Sequence, residues 1–108
     1  MEHLINATCP ECRGPLTEVD NDGITEFQCL VGHRYSSVPL LEAHSDAEER
    51  ALWAAVVALE EAENVVRATA PHVPPEIRDE LRKQAEERRA KADEIRDVLR
   101  HLRPFQTG

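Results

Sequence analysis

Hydrophobic and polar positions follow two different patterns along the 108 residues of the chain. Residues 1–8 are a short lead-in, with Leu4 and Ile5 available to pack on the rest of the N-terminal region. Residues 16–19 and 24–28 are rich in β-branched residues, and the Asp-Asn-Asp-Gly sequence between them supplies positive-φ positions for a turn. We predict a β-hairpin here. Two- and three-residue loops both fit Gly23, so its register stays open.

After residue 36 the apolar positions recur at steps of three and four, which predicts helices. Ser37 can cap a short turn and Ser45 opens a capping-box sequence, so the first helix either starts anew or runs on. We predict helices over about 45–70 and 75–102, separated by prolines and packed as antiparallel neighbours. The predicted seams are Leu52, Ala55, Leu59, Ala62, Val66 and Thr69 in the first helix, and Ile77, Leu81, Ala85, Ala92, Ile95, Leu99 and Leu102 in the second.

One stretch of the first helix, residues 51–59, is apolar on every side. A helix that is apolar all round is usually buried all round. The second helix covers one face, and the N-terminal segment can cover another. The apolar surface that remains uncovered predicts self-association as a homodimer, or a protein partner bound by the helices around Trp53. The alternative is that the chain itself covers the whole stretch.

Two short segments carry the clearest chemical signal. Cys9 and Cys12 are separated by two residues, and Cys29 and His33 by three. Zinc takes four ligands of these kinds at such spacings, and thiolates argue against magnesium or calcium. Gly32 permits a backbone angle before His33 that other residues resist. We predict one structural Zn2+ per chain, bound by these three cysteines and His33.

Alternatives to this metal site remain open from the sequence. His3 and His44 lie near enough in the sequence to compete with His33, although the spacing favours His33. The three cysteines can also be buried or free thiols, and three cannot pair off as disulfides.

Together these elements predict a small α+β fold. An N-terminal zinc ribbon built on the β-hairpin occupies residues 1–37, an antiparallel helical hairpin occupies residues 38–103, and residues 104–108 form a flexible tail. A ribbon of this size buries too little apolar surface to fold alone, so the metal must supply much of its stability.

The negative charge of the chain argues against some classes of binding partner. The net charge is −8, and residues 1–49 hold ten acidic and two basic residues. Phosphate binding needs the opposite sign, so nucleic acid is not an expected partner. No apolar run approaches the ~20 residues of a membrane helix, and the N-terminus lacks the plan of a signal peptide. We therefore expect no membrane contact and a reducing, cytoplasmic location.

About half of the chain resembles a known segment. The shared features are Cys9-Pro10-x-Cys12, Phe27-x-Cys29-x-Val31-Gly32-His33-x-Tyr35-Ser36, Leu40-Leu41, and Ala51-Leu52-Trp53-Ala54-Ala55 running on to Ala58-Leu59-Glu60-Glu61. This pattern resembles the zinc-ribbon-plus-helix C-terminal extension of bacterial chemotaxis-type protein-glutamate methylesterases, here as a small stand-alone protein. The resemblance implies a bacterial protein linked to sensory or two-component regulation. It does not imply esterase activity, because 108 residues have no room for the catalytic domain.

The sequence therefore predicts a zinc-binding, non-enzymatic interaction or regulatory module. A thiol-based redox or metal sensor is the alternative, because zinc thiolates can oxidise and release the ion. A metal-dependent enzyme is less favoured, because a catalytic zinc keeps an open position. A nucleic-acid binder is less favoured because of the charge.

Overall fold

A computed structural model describes residues 2–108, so residue 1 of the predicted ribbon lies outside the described residues. Strands and helices follow one another without mixing. The strands are β1 (Glu2–Thr8), β2 (Pro15–Asn21), β3 (Ile24–Gln28) and β4 (Arg34–Tyr35). The helices are α1 (Ser37–Thr69) and α2 (Pro75–His101), joined by a 3-10 turn over Ala70–His72. The predicted small α+β fold, a β-hairpin followed by a helical hairpin, is confirmed.

The described residues divide into two compact units. The first unit contains residues up to Glu48 together with Arg103–Gly108, and the second contains Glu49–Leu102. Helix α1 passes from one unit into the other. No helix among residues 2–108 combines the length and the apolar character needed to cross a membrane.

The predicted hairpin is formed by β2 and β3, and the structure gives its register. Asn21 pairs with Ile24, which leaves a two-residue turn of Asp22 and Gly23. Both turn residues have positive φ, at 54° and 84°, as a type I′ turn requires. The Asp20 carboxylate accepts a hydrogen bond of 3.0 Å from the Gly23 N–H and holds the turn.

Two further strands, which the sequence pattern did not predict, extend this hairpin into a four-stranded antiparallel sheet. β1 pairs with β2 and β4 pairs with β3, so the order is β1-β2-β3-β4. The lead-in is therefore a strand. An irregularity between Leu4 and Thr8 interrupts its pairing, and Asn6 within it has a φ of 58°. This break disturbs the alternation by which strands are recognised in a sequence.

The core of the first unit is small and lies beside the ligand loops. Leu16, Cys9 and Cys29 are its buried members. Partly buried apolar side chains pack against them, namely Ile5, Ala7, Tyr35 and Leu40. Two of the three buried residues are thus cysteines from the predicted metal site.

Helix α1 begins at Ser37 and runs through the capping-box sequence without a break. Pro39 lies in the first turn, where the N–H that it lacks would have no partner within the helix. Ser45 does not cap a new helix. Its buried hydroxyl accepts a hydrogen bond of 3.0 Å from the Phe105 N–H. The predicted flexible tail therefore makes at least one ordered contact.

Helix α2 covers the predicted range, and Pro75 occupies its first turn as expected. In the helical hairpin, Val56, Ala85 and Ala92 are buried. Two ion pairs link the helices, from Arg96 to Glu60 at 2.7 Å and from Arg89 to Glu63 at 3.2 Å. This pairing order is antiparallel, as predicted.

The ends of the predicted seams differ from the structure. Thr69 is exposed and its hydroxyl bonds back to the Val65 carbonyl, while Ile77 and Leu102 are also exposed. The Arg78 side chain reaches back across the linker and donates to the Ala70 carbonyl at 2.7 Å and the Val73 carbonyl at 3.3 Å. These two linker carbonyls lack the backbone N–H donors that a continuing helix would provide, and the Arg78 guanidinium takes their place.

Candidate metal centre

The sheet topology brings the two ligand segments to one end of the first unit. Cys9 and Cys12 follow β1, and Cys29 and His33 follow β3. Because β1 and β3 both run antiparallel to β2, they run parallel to each other, and the loops after them leave the same end of the sheet. The hairpin thereby connects residues that are far apart in the sequence.

The structure gathers all four predicted ligands into one cluster. One atom from each residue, three Sγ atoms and a ring nitrogen of His33, lies within 4.8 Å of the others. The Cys12 and Cys29 sulfurs are 3.6 Å apart. His33 Nδ1 lies 3.3 Å from Cys29 Sγ and 3.6 Å from Cys9 Sγ. The cluster can hold one metal ion.

The competing histidines lie outside the cluster. His3 Nε2 is 3.0 Å from the Glu18 carboxylate, and His44 Nδ1 is 3.5 Å from Glu48. The His44 ring also lies near Phe105, with 6.1 Å between the ring centroids. Only His33, of these three histidines, has a ring nitrogen next to the sulfurs.

Backbone hydrogen bonds fold each ligand segment into a tight loop. In the first loop the Cys9 N–H donates to the Gly14 carbonyl at 2.7 Å, and the Arg13 N–H donates to the Cys9 carbonyl at 2.9 Å. In the second loop the Cys29 N–H donates to the His33 carbonyl at 3.1 Å. Gly32 has a φ of 109°, which is the unusual angle that the sequence predicted there.

The same loops direct backbone N–H groups at two of the sulfurs. Burial opposes ionisation of the Cys29 thiol, but backbone N–H groups, led by that of His33, outweigh it and lower its pKa to about 6. The His33 N–H lies 3.4 Å from this sulfur. Burial also opposes ionisation of Cys9, and the N–H groups of Cys12 and Glu11 more than offset it, so its pKa is lowered. The loops thus favour the thiolate form of both sulfurs, which is the form that binds metals.

Cys12 and His33 are shifted the other way. The backbone at Gly14 favours the Cys12 thiolate, but partial desolvation of this sulfur and the two neighbouring sulfurs outweigh it and raise the pKa of Cys12. The pKa of His33 is raised, chiefly by the Cys29 sulfur and further by the Glu11 carboxylate. Without an ion, three sulfurs this close cannot all ionise cheaply, because like charges repel. A cation removes that repulsion.

A carboxylate and a phenol, which sequence spacing did not identify, complete the surroundings. Glu11 Oε2 lies 3.0 Å from His33 Nε2, the ring nitrogen that does not face the sulfurs. Glu11 Oε1 accepts a hydrogen bond of 2.9 Å from the Tyr35 hydroxyl, whose oxygen is 3.7 Å from Cys9 Sγ. Burial raises the pKa of Tyr35, so the phenol keeps its proton. Glu11 therefore fixes the His33 ring with Nδ1 turned toward the sulfurs.

Comparisons with known proteins identify no relative. No family model matches the chain, and neither the curated proteins nor the solved structures give a match.

Proposed function

We propose that the chain is a zinc-stabilised, non-enzymatic interaction module. A structural zinc ion fixes the sheet of the first unit, and the helical hairpin offers the binding surface. The observation that carries the proposal is the convergence of three cysteine sulfurs and one imidazole nitrogen within 4.8 Å of one another.

The distances within the cluster support zinc. Zn–S bonds of about 2.3 Å and Zn–N bonds of about 2.0 Å in a tetrahedron give edges of ~3.8 Å between sulfurs and ~3.5 Å between sulfur and nitrogen. The edges here are 3.6 Å for the Cys12–Cys29 sulfur pair and 3.3 and 3.6 Å from sulfur to His33 Nδ1. Three thiolates and one imidazole are also ligands that zinc prefers over hard cations.

The number of ligands supports a structural role. A catalytic zinc site keeps one position for water or substrate, whereas a structural site fills all four positions from the protein. Cys9, Cys12, Cys29 and His33 supply all four. The bound ion would hold two loops together and would not activate water.

We infer the setting of the module from its thiols and from the family resemblance. Free thiols at all three cysteines suit a reducing, cytoplasmic compartment. The resemblance to the extension of methylesterases is the basis for placing the module in bacterial sensory or two-component regulation. The metal-binding part of the proposal does not depend on that resemblance.

Native mass spectrometry and cobalt substitution test the proposal. We expect one zinc per chain in the wild-type protein and none in Cys12→Ser, with His44→Ala as the control that keeps the metal. A cobalt-substituted sample should show the absorption of a tetrahedral site with three thiolates. Absence of stoichiometric zinc, or an exchangeable water bound to the cobalt, would overturn it.

One observation favours a redox sensor as a second candidate function. Cys12 is exposed, and its sulfur lies 3.6 Å from that of Cys29. One hydrogen peroxide would take two electrons from this pair of thiolates and, with two protons from water, form a Cys12–Cys29 disulfide and two waters while the ion leaves. Zinc release at peroxide levels below one equivalent, reversed by a dithiol, would support this function. Resistance to a large excess of peroxide would dismiss it.

A further inference from the structure

The outward face of α1 within the second unit is apolar at its centre and charged at its ends. Six exposed residues share this face because they recur at steps of three and four. They are Arg50, Trp53, Ala54, Val57, Ala58 and Glu61, and we call them the α1 face. Trp53 is 46% exposed and Val57 is 49% exposed.

The composition of this face differs from that of the other helix of the hairpin. The exposed positions of α2 are mostly charged, as the solvated side of a helix normally is. The α1 face instead presents Val57 and part of the Trp53 indole to solvent. The indole also borders Arg96 and Leu99 of α2. A contiguous apolar strip of this kind typically marks a protein interface.

The charges at the two ends of this face suit a second copy of the same face. Arg50 and Glu61 are 11 positions apart, or ~16 Å along a helix. When a second α1 face packs in antiparallel about a two-fold axis midway between them, each Arg50 meets the partner's Glu61. A parallel arrangement would bring like charges together, which is destabilising. Arg50 already has a partner within its own chain, and its five N–H donors allow a second.

Side-chain size agrees with the same register. The antiparallel arrangement places Trp53 against the partner's Ala58, and Val57 against the partner's Ala54. Each large side chain thus meets a small one, which lets two helices approach closely without overlap. A single register therefore satisfies both the charges and the volumes.

We infer that the α1 face binds a second copy of this chain, with the two α1 helices antiparallel and the two hairpins forming a four-helix arrangement. This inference rests on the proposed function, since it names the partner of the helical surface. A two-fold interface is self-complementary by symmetry, and the α1 face has that property.

Sedimentation of the zinc-loaded full chain tests the inference with a matched pair of variants. The wild type should be a dimer at about 100 µM. Val57→Glu should make it monomeric, and Val98→Glu should leave it dimeric. Val98 is the matched control because it is also a valine with 49% exposure, but on α2. A monomeric wild type, or equal effects of both variants, would overturn the inference.

Charge reversal tests the register. Arg50→Glu and Glu61→Arg should each weaken dimerisation roughly tenfold or more, because two attractive pairs per dimer become repulsive. An equimolar mixture of the two variants should regain the affinity. In the mixed dimer, the carboxylate introduced at position 50 of one chain meets the guanidinium introduced at position 61 of the other. Failure of the mixture to recover would overturn the antiparallel register.

The single tryptophan adds an optical readout. Trp53 emission should shift to longer wavelength on dilution, as the indole returns to water. A zinc-loaded monomer whose emission changes only on adding lipid vesicles would assign the face to a membrane surface and overturn the inference. Metal content measured on the same samples separates the two proposals, because a zinc-loaded monomer refutes only the dimer.

Discussion

The two units of the chain have cores made of different kinds of residue. In the first unit, two of the three buried core residues are Cys9 and Cys29, which belong to the candidate metal centre. In the second unit the buried residues are Val56, Ala85 and Ala92, which belong to the helix seam. The core of the first unit thus includes candidate metal ligands, whereas the core of the second unit consists of apolar packing residues.

This difference separates two sources of stability. A helix forms from local hydrogen bonds and needs only one covered face, so two long helices can stabilise each other with small buried side chains. A short sheet needs long-range pairing and a core, and few residues in the first unit supply that core. We therefore expect the first unit to depend on the ion and the second unit to be largely independent of it.

Removing the metal should have the largest effect. Cys29→Ala, or a strong chelator added to the wild type, should unfold the sheet and leave most of the helical signal. The reason is that structural zinc contributes about 10–16 kcal/mol of apparent binding free energy. NMR amide dispersion reports the sheet, and far-UV circular dichroism reports the helices.

Leu30→Ala is the control, because Leu30 lies in the same loop but is 87% exposed and offers no ligand atom. It should keep both signals, and zinc should restore the chelated wild type. Native-like dispersion in Cys29→Ala would contradict the comparison between the units.

Lowering the pH should change the stability of the first unit gradually and affect the second unit little. In the metal-free chain, the Cys29 pKa of about 6 favours folding above the ordinary thiol pKa, about 8.5. That contribution is lost as the pH falls through about 6. The raised pKa of His33 has the opposite effect. It favours folding at pH values below the ordinary histidine pKa, and this contribution is lost as the pH rises through the raised pKa.

Metal binding needs a thiolate and a neutral imidazole, so protons at both ligands compete with the ion. We expect zinc affinity to rise from about pH 6 to about pH 8 and to collapse at lower pH. Chelator competition across this range measures it, while the helical signal should change little. A pH-independent affinity would be inconsistent with these ligands.

Within the second unit, a cavity should destabilise the fold without affecting the metal. Val56→Ala should lower the free energy of unfolding by about 1.5 kcal/mol, after allowing for the better helix propensity of alanine. Val65→Ala, at 59% exposure on the same helix, should be neutral within about 0.5 kcal/mol. Urea unfolding followed by circular dichroism compares the two. Altered zinc affinity in either variant would show that the units are coupled.

The smallest expected effect lies at the outer contact of the site. Glu11→Gln removes the charge that faces His33 Nε2 and should weaken zinc binding about tenfold, as loss of such an outer contact commonly does. Glu2→Gln makes the same change of charge at an exposed position of β1 and should have no effect. Chelator competition distinguishes them, and equal affinities would assign Glu11 no role in positioning His33.

The ligand cluster could be predicted from sequence because its signal is local. Each pair of ligands is separated by two or three residues, and a tight loop, with Gly32 at positive φ in the second, brings each pair together. Nothing local indicates the contribution of Glu11. Its contacts to His33 and Tyr35 cross from one loop to another.

In the rest of the fold, too, local patterns could be predicted and contacts between distant residues could not. Part of the seam of the hairpin could be predicted because helical periodicity repeats over many residues. Val56, which is buried in the structure, was not among the predicted seam positions. The β1 strand was missed because its irregular pairing around Asn6 disturbs the alternation. The start of α1 stayed open because Ser45 has a capping-box sequence, while its hydroxyl bonds to Phe105, a contact that no local pattern reveals.

The buried position of Cys9 and Cys29 has a consequence for the turnover of the protein. A ligand that binds only the ordered form shifts the folding equilibrium by mass action. The fraction of chains with an intact sheet should therefore follow the concentration of free zinc, the ion that we propose for the site. Under zinc starvation, proteases would remove the N-terminal segment first and leave helical fragments behind.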